Sequence, residues 1–108
     1  MDNVVLHNSA GEAIAFMRYP GDKYLFSVKG TWIGWFPWSD DAAVTRDGEY
    51  LGTVLGDRLY REENPKWRST PFGGGNPGSV AGIWINGRAQ AMNPPFGYDD
   101  VPSRFLDR

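Results

Sequence analysis

The residues of this chain that could do chemistry are few and scattered. His7 is the only histidine and cysteine is absent, so no second nitrogen or sulfur ligand exists to hold a transition metal. A lone histidine on a strand candidate beside a turn reads as a strand or edge residue. Ser9, Ser27, Ser39, Ser69, Ser79 and Ser103 all stand outside the Gly-x-Ser-x-Gly and Ser-x-x-Lys patterns that activate a serine. The pairs Asp40-Asp41, Glu62-Glu63 and Asp99-Asp100 could serve acid–base work or bind a hard cation. Each falls at an expected turn or loop, where solvated acids are ordinary. The run Gly73-Gly74-Gly75-Asn76-Pro77-Gly78 lacks the Gly-Lys-Ser/Thr ending and the following helix of a phosphate cradle. It reads as a connection. These residues predict no enzyme, no cofactor and no metal site.

The aromatic residues are the sharper signal. Trp32, Trp35, Phe36 and Trp38 fall within seven residues, with Tyr19 and Tyr24 nearby. By strand alternation Trp32 and Phe36 share one face, while Ile33 and Trp35 share the other. A half-exposed hairpin needs one apolar face, and this one has two. Three explanations compete. Both faces are covered within the domain, for example by the C-terminal tail. One face is a subunit interface, where Trp and Tyr are enriched. Or one face binds a ligand, such as a sugar ring stacked on indole with Asp40 and Asp41 as acceptors. The candidate binding residues are therefore Trp32, Trp35, Phe36, Trp38, Asp40 and Asp41.

The elements that must position these residues repeat. Gly11, Gly30 and Gly48 are each followed, three places on, by Ile14, Ile33 or Leu51, and one place later by Ala15, Gly34 or Gly52. A strand candidate precedes each glycine: Val4–His7, Tyr24–Val28 and Ala42–Thr45. Each unit is a β-hairpin, and Asp47-Gly48 is a strong turn signal between strand-like runs. Spacings of nineteen and eighteen residues fit a hairpin plus a connection and leave no room for a helix. Alternation sets Ala15, Gly34 and Gly52 opposite Ile14, Ile33 and Leu51. The small residues then permit close strand approach, and the larger ones form the core. A weaker fourth copy pairs Leu59-Tyr60-Arg61 with Lys66-Trp67-Arg68. A further hairpin is expected over 80–92, turning at Asn86-Gly87.

Length and charge set the outer limits. A chain of 108 residues with 11 basic and 13 acidic side chains fits one domain with a modest core. Residues 1–70 read as the hairpin-repeat body. Residues 71–108 read as a Gly/Pro-rich loop, the extra hairpin and an extended tail of the same domain. The net charge of −2 with no basic stripe speaks against nucleic acid. No run is long enough to cross a bilayer, and Met1-Asp2-Asn3 lacks the basic and apolar regions of a secretory leader. A cytoplasmic location is expected.

The residues Val5-Leu6-His7-Asn8 through Gly11-Glu12-Ala13-Ile14-Ala15-Phe16, Gly30 with Ile33-Gly34-Trp35-Phe36, and Arg46-Asp47-Gly48 with Leu51-Gly52 resemble the 4-fold β-flower domain of bacterial proteins. The resemblance covers residues 4–60 and extends loosely to Trp67. It implies an all-β domain of four hairpins about a pseudo-fourfold axis, and it brings no activity or catalytic residues. The expected function is a non-catalytic structural or protein-interaction module that associates with itself or another protein. The alternative is a small-ligand or carbohydrate-binding domain using the Trp32–Trp38 surface.

Overall fold

The computed structural model describes residues 3–70, 75–84 and 87–106. Eight strands follow one another in chain order: β1 (Val4–His7), β2 (Ala13–Met17), β3 (Tyr24–Ser27), β4 (Trp32–Trp35), β5 (Ala42–Thr45), β6 (Tyr50–Leu55), β7 (Arg58–Glu62) and β8 (Tyr98–Asp100). Consecutive strands pair antiparallel, and β1 meets β7 in parallel at His7 and Arg58. The first seven strands thus close into a mixed β-barrel, and β8 adds to the outside of β7. Closure removes the free edges that an open sheet would expose.

Three hairpins share one turn, and the cause is legible residue by residue. In each, Asn8, Ser27 or Thr45 accepts the amide of the glycine three places on through its backbone carbonyl, at 3.0, 2.8 and 3.0 Å. Its side-chain oxygen then accepts further turn amides. Asn8 takes those of Ala10 and Glu12, Ser27 takes that of Thr31, and Thr45 takes those of Asp47 and Glu49. Gly11, Gly30 and Gly48 hold φ of 84°, 91° and 90°, the left-handed region that glycine enters without penalty. The register slips once in each hairpin, after Leu6, Leu25 and Ala43. A bulge of this kind bends and twists the pair, so the barrel's curvature is built into the repeat.

The interior takes one side chain from every strand of the barrel: Leu6, Ala15, Leu25, Ile33, Ala43, Leu51 and Leu59, all fully buried. Val101 and Phe105, beyond β8, complete it. The alternation expected between Ile14 and Ala15 does not hold, because Ala15 joins this core and Ile14 packs against it from a half-buried position. Close strand approach is found where the glycines mark it. A Cβ at Gly34 would lie 2.4 Å from the Val44 carbonyl oxygen, and one at Gly52 would lie 2.9 Å from that of Tyr60. Each glycine therefore seats its hairpin against the next one.

The C-terminal third departs from its expected course. Residues 64–70 carry no strand, so Lys66-Trp67-Arg68 does not pair with β7. The antiparallel partner of β7 is β8, with Tyr60 opposite Asp100 and Glu62 opposite Tyr98. The expected tail is thus a strand of the sheet. Of the Asn86-Gly87 turn expected in the hairpin over 80–92, Asn86 lies outside the described residues, as Gly73 and Gly74 of the glycine run do. Its flanks, 80–84 and 87–92, are not strands. They run instead over the hairpin turns. The amide of Val80 donates to the Gly30 carbonyl, Ile83 to Val28, Ala89 to Gly11 and Met92 to Ser9, at 2.8–3.0 Å. Thr70 donates its hydroxyl to the Gly48 carbonyl at 3.1 Å. The chain therefore visits the three turn glycines in the reverse of their sequence order.

Candidate functional site

The aromatic stretch divides among three environments. Trp32 is 8% exposed and joins Phe16 and Phe26 in a second apolar cluster, over which Val80 and Ile83 pack. Its indole N–H donates to the Gly34 carbonyl at 2.8 Å. Tyr24 meets it edge-on with ring centroids 5.9 Å apart, and the Arg46 guanidinium covers its outer face at 4.8 Å. The second apolar face of β3 and β4 is thus closed by the chain itself, which is the first of the three explanations. Phe36 packs on the main core, so Trp32 and Phe36 do not share a surface. Trp38 is half-buried. Its N–H donates to the Ser69 carbonyl at 3.1 Å, and Arg68 lies 3.8 Å over its ring.

Four of the six candidate residues do meet. Trp35, Phe36, Asp40 and Asp41 line an open cleft of about 640 Å³, together with Asp22 and Lys23. Trp35 is 7% exposed, so it forms a wall of this cleft and offers no free face. The Asp40 carboxylate is already engaged. It accepts from Arg68 and from the Ala42 amide, both at 2.9 Å. The Arg68 bond first, then the backbone amide, hold its carboxyl below the usual carboxylate range. Asp41 is exposed at the rim.

Beneath this cleft sits a charge pair that sequence reading missed. The Asp22 side chain is fully buried, and both its oxygens are used. Arg18 donates Nε at 2.8 Å, Nη2 at 2.9 Å and its own backbone amide at 3.1 Å, and the Tyr24 amide adds a bond at 3.2 Å. Burial alone would push the Asp22 carboxyl up. The Arg18 bonds and the backbone amides outweigh it and hold the carboxyl below its ordinary value. Arg18 is raised in turn, chiefly by the same bond to Asp22. Its guanidinium also lies 5.3–5.6 Å over the rings of Tyr19, Tyr24 and Phe26. An Arg-x-x-x-Asp spacing ahead of a strand was the available signal.

The other candidate groups make contacts within the fold. His7 directs Nδ1 at the Asp57 carbonyl at 3.0 Å. Asp100 accepts the backbone amide and the hydroxyl of Ser9, tying β8 to the first hairpin. Glu62 accepts the Tyr98 hydroxyl at 3.0 Å. That bond, after burial, pushes the Tyr98 phenol up. Arg58 is buried at 4% exposure and donates to the carbonyls of Asn8 and Gln90 and to Asp57. It pins the barrel seam to the C-terminal segment. Among the described residues no group of three His, Cys, Asp or Glu side chains could hold a metal ion. None of their helices is long and apolar enough to cross a membrane.

A second cleft of about 740 Å³ opens between the outer face of β5 and β6 and residues 62–68. Trp38, Tyr50 and Trp67 line it with Glu49, Glu62 and Lys66. Trp67 is 86% exposed. The large apolar side chains open to solvent among the described residues are Tyr19, Trp67, Trp84, Met92 and Phe96. All but Tyr19 lie on the connection between β7 and β8, outside the Trp32–Trp38 stretch.

Comparison of the chain with family models, with curated proteins and with solved structures returned no match.

Proposed function

We propose that this chain is a non-catalytic protein-interaction module that associates with a second copy of itself through its C-terminal connection. The observation that carries the reading is the pair Phe96 and Met92, 104% and 54% exposed within five residues, on a backbone held in place. Met92 donates to Ser9, Tyr98 to Pro95 and Glu63 to Gly97 through backbone amides. A fixed, exposed aromatic is what an interface anchor requires, and a mobile one would lose affinity to ordering. We read the fold behind it as related to the 4-fold β-flower domain, a reading supported by the three hairpins that share a turn and by the antiparallel pairing of β7 with β8. A cytoplasmic setting suits a chain without cysteine.

Sedimentation velocity from micromolar to near-millimolar protein tests the proposal. The wild type is expected to shift to a dimer or higher species, and Phe96→Ser to stay monomeric. A wild type that remains monomeric throughout overturns it. The alternative, a small ligand in the cleft of Trp35, Phe36, Asp40 and Asp41, has one supporting observation, which is that these four side chains line the same concavity.

A further inference from the structure

We propose that the second cleft, walled by Trp38, Tyr50 and Trp67, is a binding site for a neutral oligosaccharide. Its volume of about 740 Å³ falls within the range of small-molecule sites. Three aromatic rings reach it from three separate stretches: Trp38 from the β4–β5 connection, Tyr50 from the start of β6, and Trp67 from the segment after β7. Two of the rings are locked before any ligand arrives. Trp38 is held by its bond to Ser69 and by Arg68 stacked on one face. The Tyr50 hydroxyl bonds Thr53 at 2.7 Å and accepts the Glu62 amide at 3.0 Å, with Arg61 5.4 Å over its ring. The third ring, Trp67, stands 86% exposed on the cleft's outer lip. Fixed rings in a concavity offer contact area at little cost in ordering.

The polar groups choose the ligand class. Of the charged residues lining the cleft, Arg68 is paired with Asp40 and Glu49 with Arg104, which leaves Glu62 against Lys66, so the site selects no net charge. Asn64 adds an amide that both donates and accepts. Aromatic platforms ringed by carboxylate, amide and ammonium suit a molecule with flat C–H faces and hydroxyls around its edge, which is a pyranose chain. An anionic polymer would gain nothing from this balance, and the chain's net charge of −2 opposes it. A purely apolar peptide would offer the Lys66 ammonium and the Asn64 amide no partner while stripping them of water, which is costly. Phe96 and Met92 do not line this cleft, so self-association and sugar binding can fail independently.

The experiment is isothermal titration of the intact protein with hexasaccharides of β-linked glucose, α-linked glucose and β-linked N-acetylglucosamine. In parallel, tryptophan fluorescence is followed in the wild type, Trp67→Ala and Trp84→Ala. Both substitutions fall at exposed side chains, 86% and 87%, and are expected to leave the fold intact by circular dichroism. At least one hexasaccharide should bind the wild type and quench its fluorescence. Trp67→Ala should weaken that binding by about tenfold or more, the loss of one stacking ring, and Trp84→Ala should match the wild type. No binding by any of the three probes overturns the proposal. So does equal weakening in both variants, which would mark non-specific contact. A proline-rich peptide that competes with the sugar and binds more tightly would reassign the cleft to a protein ligand.

Discussion

Replacing Gly30 by alanine separates what the C-terminal segment contributes from what the turn itself contributes. At φ +91° an alanine costs about 1–2 kcal/mol in any setting. Here its Cβ would also lie 1.9 Å from the Val80 carbonyl oxygen and 3.0 Å from the Ala81 carbonyl carbon. Both are backbone atoms, so the segment must lift away. Lifting breaks the bonds from Val80 to Gly30 and from Ile83 to Val28, about 1 kcal/mol each. It also withdraws two half-buried aliphatic side chains from Phe16, Phe26 and Trp32, about 1 kcal/mol more. The total loss is about 4–5 kcal/mol, a large share of the 5–15 kcal/mol typical of a domain. Gly56→Ala is the control. It sits at φ +64° in the turn from β6 to β7 with nothing within 4 Å of a Cβ, so only the same conformational cost of about 1–2 kcal/mol applies. Urea unfolding followed by tryptophan fluorescence should place the Gly30→Ala midpoint about 2 M below that of Gly56→Ala, taking a slope of about 1.5 kcal/mol/M. Midpoints that agree within experimental error would refute the reasoning, because the segment would then contribute nothing at that turn.

Three further outcomes follow from named contacts. Asp22→Asn keeps the shape of the buried group but removes its charge, and should cost about 2 kcal/mol by urea titration at pH 7. Because the folded-state Asp22 carboxyl lies below its unfolded value, its stabilisation is present above about pH 4 and is lost as pH falls through the folded value. The wild type should therefore lose more stability between pH 5 and pH 2 than the variant, measured by the urea midpoint at each pH. Thr45→Val, at a fully buried site, leaves the Asp47 and Glu49 amides without their side-chain acceptor and should cost about 1–2 kcal/mol on the same assay. Phe105→Ala should cost about 3–5 kcal/mol and unfold at markedly lower urea, since that fully buried ring closes the barrel core from beyond β8.

The hairpins were legible because their signals are local. Gly11, Gly30 and Gly48 must hold positive φ, and the apolar residues around them alternate within a few positions. The Asn8, Ser27 and Thr45 turn acceptors were equally local, three places before each glycine, and were passed over because their residue types differ while their bonds do not. The C-terminal course was not legible. Val80, Ile83, Ala89 and Met92 bond backbone carbonyls at Gly30, Val28, Gly11 and Ser9, fifty residues or more away in sequence. Nothing in residues 80–92 encodes that choice. A strand reading followed from its apolar and aromatic residues. The partner of β7 was missed for the same reason, since β8 arrives only after a long connection. At the candidate site, Trp32 and Trp35 stand out in the sequence because they give one hairpin two apolar faces. The excess apolar face reflected a cover supplied by the chain itself, while the most exposed rings, Trp67, Trp84 and Phe96, are spread along the sequence and form no cluster like that of Trp32–Trp38.

Native-state hydrogen exchange at micromolar concentration, where association is negligible, tests most directly whether the chain's own C-terminal segment covers the aromatic face of β3 and β4. The amides of Val80, Ile83, Ala89 and Met92 should exchange as slowly as barrel amides such as those of Phe26 and Thr45, within about tenfold. Exchange at the rate of an unstructured peptide, with the barrel still protected, would mean that the segment does not clasp the turns and that Trp32 awaits some other cover.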